Sequence, residues 1–218
     1  VAKQIAHEIK NPLTPMKLNV QYLEKAFKDS DPDFAQKIKS VGESLISQID
    51  ALNNVAEMFS DFARSSKYEN QKTNLIRVIK SATLLFNKQD NLSIIVEYDE
   101  NETFMVKGFE KDILRAINNI INNAAQATAE EGSGIITIAM SKRVNFTEVS
   151  IHDNGKGIAA NLKAKIFQPY FTTKSSGTGL GLAIVKNIIN EIGGEVGFDS
   201  DPNNGTTFHI KFRNNELN

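Results

Sequence analysis

The 218-residue chain contains no cysteine, which excludes disulfides, cysteine-based zinc sites and thiol catalysis and is compatible with a reducing compartment. It also lacks a charge imbalance. Lysine and arginine number 25 against 26 aspartates and glutamates, a formal net charge of −1, so no general field draws the chain to nucleic acid or to an anionic membrane surface. No apolar run approaches the roughly 18 residues of a membrane span, and no signal-peptide pattern opens the chain. The first residue is Val rather than Met. The expectation is a soluble, cytoplasmic fragment of something longer, tied to a membrane only through segments outside this sequence. The length suits one large or two small domains with real cores.

What is present centres on AHEIKNPLTP, residues 6–15. Ile5 and Ile9 stand two residues either side of His7, about 200° around a helix, so the face they bury is opposite the imidazole. A water-facing imidazole with an ordinary pKa near 6.5 is mostly neutral at pH 7 and leaves one ring nitrogen free as a nucleophile, with Glu8 available to hold the other. Asn11 follows one turn on. Pro12 removes a backbone donor and predicts a kink. Taken alone, the stretch equally fits a solvated His-Glu pair on an ordinary helix.

Leu13, Met16, Val20, Leu23 and Phe27 step by three and four, the seam of a helix packing lengthwise on others. Asp29-Ser30-Asp31-Pro32 supplies a turn, with Ser30 or Asp31 as candidate cap. A second helix follows, with Phe34, Ile38, Val41, Leu45, Gln48, Leu52, Val55, Phe59 and Phe62 holding an alternating spacing over about four heptads. Two helices alone leave too much seam exposed. The pattern predicts a homodimer forming an antiparallel four-helix bundle, with Gln48 helping to fix register; packing of the hairpin on the rest of its own chain is the alternative.

Residues 67–73, KYENQKT, are polar and aperiodic, and divide a helical hairpin (1–66) from a second domain (74–218). There the pattern predicts helices over 75–86, about 109–129 and about 180–192. Strands are predicted over 92–98, 103–107, 134–142, 146–153, 195–200 and 206–212. Gly193-Gly194 should end the last helix.

Three places in this domain break local rules, as functional sites do. Asn118, Asn119, Asn122 and Asn123 crowd one helix although asparagine is a poor helix former. Asn119, Asn123 and Gln126 share a face, and amide oxygens there suit a hydrated Mg²⁺ shared with phosphates; a solvated asparagine face is the plain alternative. In Asp153-Asn154-Gly155-Lys156-Gly157, the Asp153 carboxylate shares the inward strand face with Val149 and Ile151. A buried carboxylate needs a donor, and an exocyclic amine of a bound base would serve, although Asp-Asn-Gly alone is a turn signal. In residues 167–182, FQPYFTTKSSGTGLGL, Gly177, Gly179 and Gly181 let backbone amides approach an anion and lead into a helix N-terminus. Lys174 adds a movable positive charge. A flexible loop before a helix fits that stretch as well.

In this order the stretches closely resemble the sensor histidine kinases of two-component signalling, over nearly the whole chain. AHEIKNPL resembles the phospho-acceptor box, NNIINNAAQA the Asn box, DNGKGI and GTGLGL the two Gly boxes, and FQPYFTTK the Phe box. The wording HEIKNPLTP is most similar to nitrogen-regulation sensors. The resemblance implies an α+β protein: a dimeric phosphotransfer hairpin followed by a Bergerat-type α/β sandwich that binds ATP, with Mg²⁺ on Asn123. It implies autophosphorylation of His7, with Glu8 orienting it and accepting its proton, and transfer to an aspartate on a response regulator receiver domain. Asn11 would position water for phosphatase activity. The base would be read by Asp153, and the remaining nucleotide-site residues would be Asn119, Gly155, Gly157, Lys174, Gly177, Thr178, Gly179, Leu180, Gly181 and Thr207. Gln126 departs from the pattern where many members carry a basic residue, with Lys174 as candidate substitute. A nucleotide-binding dimeric scaffold without turnover and a Bergerat-fold ATPase are the competing readings.

Overall fold

The computed structural model describes residues 2–63, 71–86, 91–128, 133–174, 179–202 and 204–214; in residues 2–9, 11, 47, 50–51 and 53–63 it describes the backbone alone. Two compact units result, the first a helical hairpin and the second an α/β unit.

In the hairpin, α1 (Ala2–Lys28) runs unbroken through Pro12 and Pro15 into the turn, so the proline expected to kink it does not end it. Near the two prolines, the Thr14 hydroxyl donates back to the Lys10 carbonyl at 3.0 Å, a side-chain bond of the kind that often bends a helix. Ser30 closes α1 with φ 50, while the Asp31 amide reaches the Ala26 carbonyl and the Ser30 amide that of Phe27, a Schellman closure with serine in glycine's usual place. The Asp31 carboxylate takes the Asp33 amide and the Lys37 ammonium and so ties the turn to α2 (Phe34–Ala63). The Lys37 bond, then the Asp33 amide, holds the Asp31 pKa below its ordinary value. Ala26 and Val41 are buried between the helices, and Asn19 donates to Ser44 across them at 3.0 Å. The predicted seam is only partly closed within one chain. Leu13, Val20, Phe27 and Ile38 remain 44, 53, 69 and 47% exposed.

The α/β unit opens with β1 (Lys72–Asn74), a strand in residues that the sequence reading treats as polar connection. It is short because a pairing partner makes it: β1 lies antiparallel to β3 (Met105–Lys107), and buried Thr73 donates to the Gly108 carbonyl at 2.7 Å. Asn74 then caps α3 (Leu75–Leu84) by accepting the Ile76 amide at 2.9 Å. The main sheet has the order β2-β4-β5-β7-β6, built from Leu92–Glu97, Gly134–Lys142, Phe146–Asp153, Thr206–Arg213 and Glu195–Ser200. Only β2 and β4 run parallel. The parallel pair is joined through β3 and α4 (Glu110–Thr128), the crossover that parallel strands require.

One face of this sheet is covered by α4 and by α5 (Gly181–Glu191), with α3 beside α4. Strict burial alternation along β5 and β7 sends Val149, Ile151, Phe208, Ile210 and Phe212 to that side, against Ile113, Ile117, Ile120 and Ile189. Each such fully buried side chain contributes about 1.5–3 kcal/mol relative to an exposed one. On the opposite face His209 lies 2.8 Å from Glu148 and 3.1 Å from Asp199, spanning β5, β7 and β6. Gly193 ends α5 at φ +74, with the Gly194 amide on the Ile189 carbonyl at 2.8 Å, the stop expected of Gly193-Gly194.

Candidate nucleotide-binding site

The site forms where β5 and β7 end together. Asp153 is the last residue of β5, 2% exposed, and faces Thr206, the first residue of β7, in register. Its carboxylate accepts the Gly155 amide at 3.0 Å. Burial pushes its pKa up, against smaller lowering by the Gly155 and Thr206 amides and by the neighbouring charge of His152. A carboxylate placed at that cost and supplied only with backbone donors is set to receive another donor.

Asn154 has a different role. Its side chain accepts the Ile135 amide at 2.8 Å and donates to the Ser133 carbonyl at 3.2 Å, closing the end of β4. Gly155 presses on the end of α4, where a Cβ would stand 2.7 Å from the Ala127 carbonyl oxygen; at Gly157, φ +70, a Cβ would come within 2.2 Å of the Asp201 carbonyl oxygen. Both glycines are therefore required by close backbone approach, which brings the Asp153 loop between α4 and the β6–β7 turn.

From residue 159 the chain turns every three residues, through amide bonds Leu162 to Ala159, Lys165 to Leu162, Gln168 to Lys165 and Phe171 to Gln168. Phe167 anchors this segment, its ring centroid 5.9 Å from Phe198 and 6.4 Å from Phe208. Tyr170 adopts φ 65, and Gly179, φ +67, packs so closely that a Cβ would lie 2.4 Å from the Tyr170 carbonyl carbon. Leu180 is buried and caps α5 without a side-chain hydrogen bond, so among the described residues no cap side chain competes with an anion for the first amides of the helix.

The asparagine helix meets this N-terminus. A Cβ on Gly181 would stand 2.9 Å from Asn119 Oδ1 and 3.9 Å from Asn123 Nδ2. Asn119 turns its own amide nitrogen back to the Arg115 carbonyl at 2.9 Å, which leaves its oxygen toward Gly181. This cradle of hard amide oxygen beside a helix N-terminus fits the phosphates of a nucleotide and a Mg²⁺ ion, whose preferred ligands are oxygens. Asn119 and Asn123 would hold the ion.

The structure thus brings together Asn119, Asn123, Asp153, Gly155, Gly157, Gly179, Leu180 and Gly181 in one unit. Thr207 is not among them. It points to the other face, its hydroxyl 3.0 Å from His152 Nδ1, and Thr206 stands beside Asp153 in its place. The alternation of β7 settles the difference, since one residue along a strand reverses the face. Sequence reading also passed over Ser200, which shares a buried hydrogen-bonded cluster with Thr206; a serine closing a strand before a turn carries no signal of its own, and only the folded β6–β7 pairing brings it there. Gln126 is exposed on α4, and Lys174 is exposed in its loop. Gly177 and Thr178 lie outside the described residues. His7, Glu8 and Asn11 fall on α1, with their side chains outside the description.

A helix-covered mixed sheet with a buried strand-end aspartate, paired glycine turns and an asparagine helix facing a glycine-led helix N-terminus defines a Bergerat-type ATP-binding sandwich. Residues 108–216 match the family described as histidine kinase-, DNA gyrase B- and HSP90-like ATPase, and residues 1–68 match the His Kinase A phospho-acceptor domain. The chain belongs to the two-component sensor histidine kinases. Among its relatives, the signal transduction histidine-protein kinase AtoS of Escherichia coli is 34% identical over 94% of this chain and 33% of its own length. The nitrogen regulation protein NtrY of Azorhizobium caulinodans is 28% identical over 93% of this chain and 27% of its own length. The chain therefore spans about a third or less of these curated relatives. The catalytic domain of histidine kinase ThkA matches with a TM-score of 0.59 at 33% identity, over 66% of this chain and 96% of that one. ThkA in complex with the response regulator TrrA shares the fold at a TM-score of 0.71 and 24% identity, over 98% of this chain and 61% of that one.

Proposed function

We propose that this chain is the catalytic core of a sensor kinase that phosphorylates its own His7 from ATP and passes the phosphoryl group to an aspartate of a response regulator. The observation that carries the reading is the meeting of Asn119, Asn123 and Gly181 at the α5 N-terminus, in the unit that also holds the buried Asp153 acceptor. It provides separate places for the two ends of a nucleotide: helix N–H donors for the phosphates, with an amide oxygen for the cation that would accompany them, and a carboxylate for the amine of the base. The phospho-acceptor match over residues 1–68 supplies the second half of the reading, because it covers His7.

His7 attacks the γ-phosphorus through an unprotonated ring nitrogen as the bond from that phosphorus to the β,γ-bridging oxygen breaks and ADP leaves, and Glu8 orients the ring and accepts the proton of the other nitrogen. Asn123, with Asn119, would hold a Mg²⁺ ion, which would supply charge neutralisation at the phosphates. Lys174, Gly177 and Thr178 would contribute to the phosphate cover, as the family resemblance implies. Asn11 aligns water for dephosphorylating the regulator. The apolar stripe left open on the hairpin, Leu13, Val20, Phe27 and Ile38, is covered by a second copy of the chain. Among the described residues no helix is long and apolar enough to cross a membrane, and the reading places this core on the cytoplasmic side of a membrane-anchored sensor.

Incubation with γ-labelled ATP and Mg²⁺ tests the reading. Acid-labile label on the protein, lost in His7→Gln while ADP affinity is retained, is the expected result. Free phosphate without labelled protein would make the chain an ATPase. Nucleotide binding with neither product would make it a scaffold.

A further inference from the structure

Ser200 closes β6 with a buried hydroxyl that serves three partners. Its Oγ lies 2.8 Å from the Ile158 amide nitrogen, 3.0 Å from the Gly205 carbonyl oxygen and 2.9 Å from Thr206 Oγ1. A hydroxyl has one proton and two lone pairs. The Ile158 amide is a donor and fills one lone pair. The Gly205 carbonyl only accepts, so it takes the proton. Thr206 must then donate its own proton into the lone pair that remains. The reverse assignment, Ser200 donating to Thr206, strips the buried Gly205 carbonyl of this donor.

We propose that Ser200 sets the nucleobase selectivity of the site by committing the Thr206 hydroxyl to act as an acceptor. Thr206 is paired in register with Asp153, and both are buried on the same side of the sheet. Asp153 already accepts the amides of Gly155 and Thr206, so this end of the pocket presents oxygen lone pairs and no side-chain proton. An exocyclic amine, as on adenine, satisfies that arrangement. A carbonyl at the same position, as on guanine, places oxygen against oxygen. Ser200 does not touch the base; it is a positioning residue, itself held by Lys163, which donates to its carbonyl. Gly205 keeps the cluster tight, since a Cβ there would meet the Asp153 carbonyl oxygen at 1.8 Å. The inference rests on the reading that this pocket takes the base of ATP.

The test is calorimetric titration of ADP and of GDP, with Mg²⁺, into the whole chain and its variants. In Ser200→Ala the Thr206 proton is released and can turn toward a carbonyl, so the preference for ADP over GDP should shrink by about tenfold, the weight of one hydrogen bond. Thr206→Val should lose ADP affinity with little change for GDP, and adding Ser200→Ala to it should leave the ratio where Thr206→Val set it. A Ser200→Ala protein that weakens both nucleotides by the same factor, or keeps the wild-type ratio, would overturn the proposal. Should Ser200→Ala fail to fold, Thr206→Val decides alone, and an unchanged ratio there rejects the acceptor role. A wild-type chain that binds neither nucleotide overturns the ATP reading itself, and the proposal falls with it.

Discussion

Asp153 sets a stabilising need of the ligand site against the stability of the free protein. Its pKa is raised above the ordinary 3.8, chiefly by burial. A carboxyl raised in the folded state holds its proton more tightly there than in the unfolded chain. It therefore costs stability at neutral pH, and that cost is relieved as pH falls through the raised value toward the unfolded one. Asp153→Asn should accordingly raise the melting temperature of the nucleotide-free protein while weakening ADP at least tenfold, because under the proposed function it removes the charged acceptor for the amine of the base. Melting curves and titrations on one preparation check both directions. In the wild type, ADP affinity should decline with falling pH earlier than an ordinary aspartate would dictate. Thr206 and Thr207 show what one-dimensional reading misses at this scale. Both follow Gly205 and both are β-formers; only the pairing of Asp153 with Thr206 tells which faces the pocket.

At the scale of elements, strands β4 and β5 were legible to the residue because one face is buried and the alternation is unbroken. The β1 strand was not, since three polar residues have no pattern until β3 pairs with them. The proline-bearing α1 continues through Pro12 and Pro15 as one helix. Glycines separate two kinds of requirement. At Gly193 a Cβ would meet nothing within 4 Å and only the φ of +74 matters, so Gly193→Ala should cost about 1–2 kcal/mol. At Gly205 the same φ region is joined by a 1.8 Å clash with Asp153, so Gly205→Ala should break the β5–β7 end pairing and abolish ADP binding. Chemical denaturation of the first and titration of the second distinguish them. Equal, mild losses in both would contradict this contrast.

Across the whole molecule, the hairpin's open stripe makes a prediction that a single chain would not. Val20 is 53% exposed, so within one chain a polar replacement should shift stability by no more than about 0.5 kcal/mol. Covered by a second copy, Val20→Glu should instead drive sedimentation to the monomer mass. An unchanged mass would move the dimer contact elsewhere. Asn11→Ala should preserve autophosphorylation and slow dephosphorylation of the regulator; parallel loss of both rates would reduce Asn11 to a local helix role. The order of the boxes made the two-unit architecture readable from sequence. The geometry of the cradle was not readable, since it depends on α4 and α5 meeting across 62 residues, Asn119 to Gly181.

The sheet order has a consequence for how the protein is made. Strand β7 follows every other strand in the sequence, yet it sits inside the sheet between β5 and β6. During synthesis, β5 and β6 must therefore leave the ribosome with hydrogen-bonding edges that have no neighbour, and β6 has no place in the sheet at all. Insertion of residues 206–213 closes the open edge of β5 and one edge of β6, which stays the outer strand, and completes the Asp153–Thr206 pair. Until then the nascent chain exposes unpaired strand edges of the kind that aggregate or recruit chaperones. Nucleotide binding can begin only when it is done, so occupancy by ADP marks a chain whose catalytic unit has finished folding.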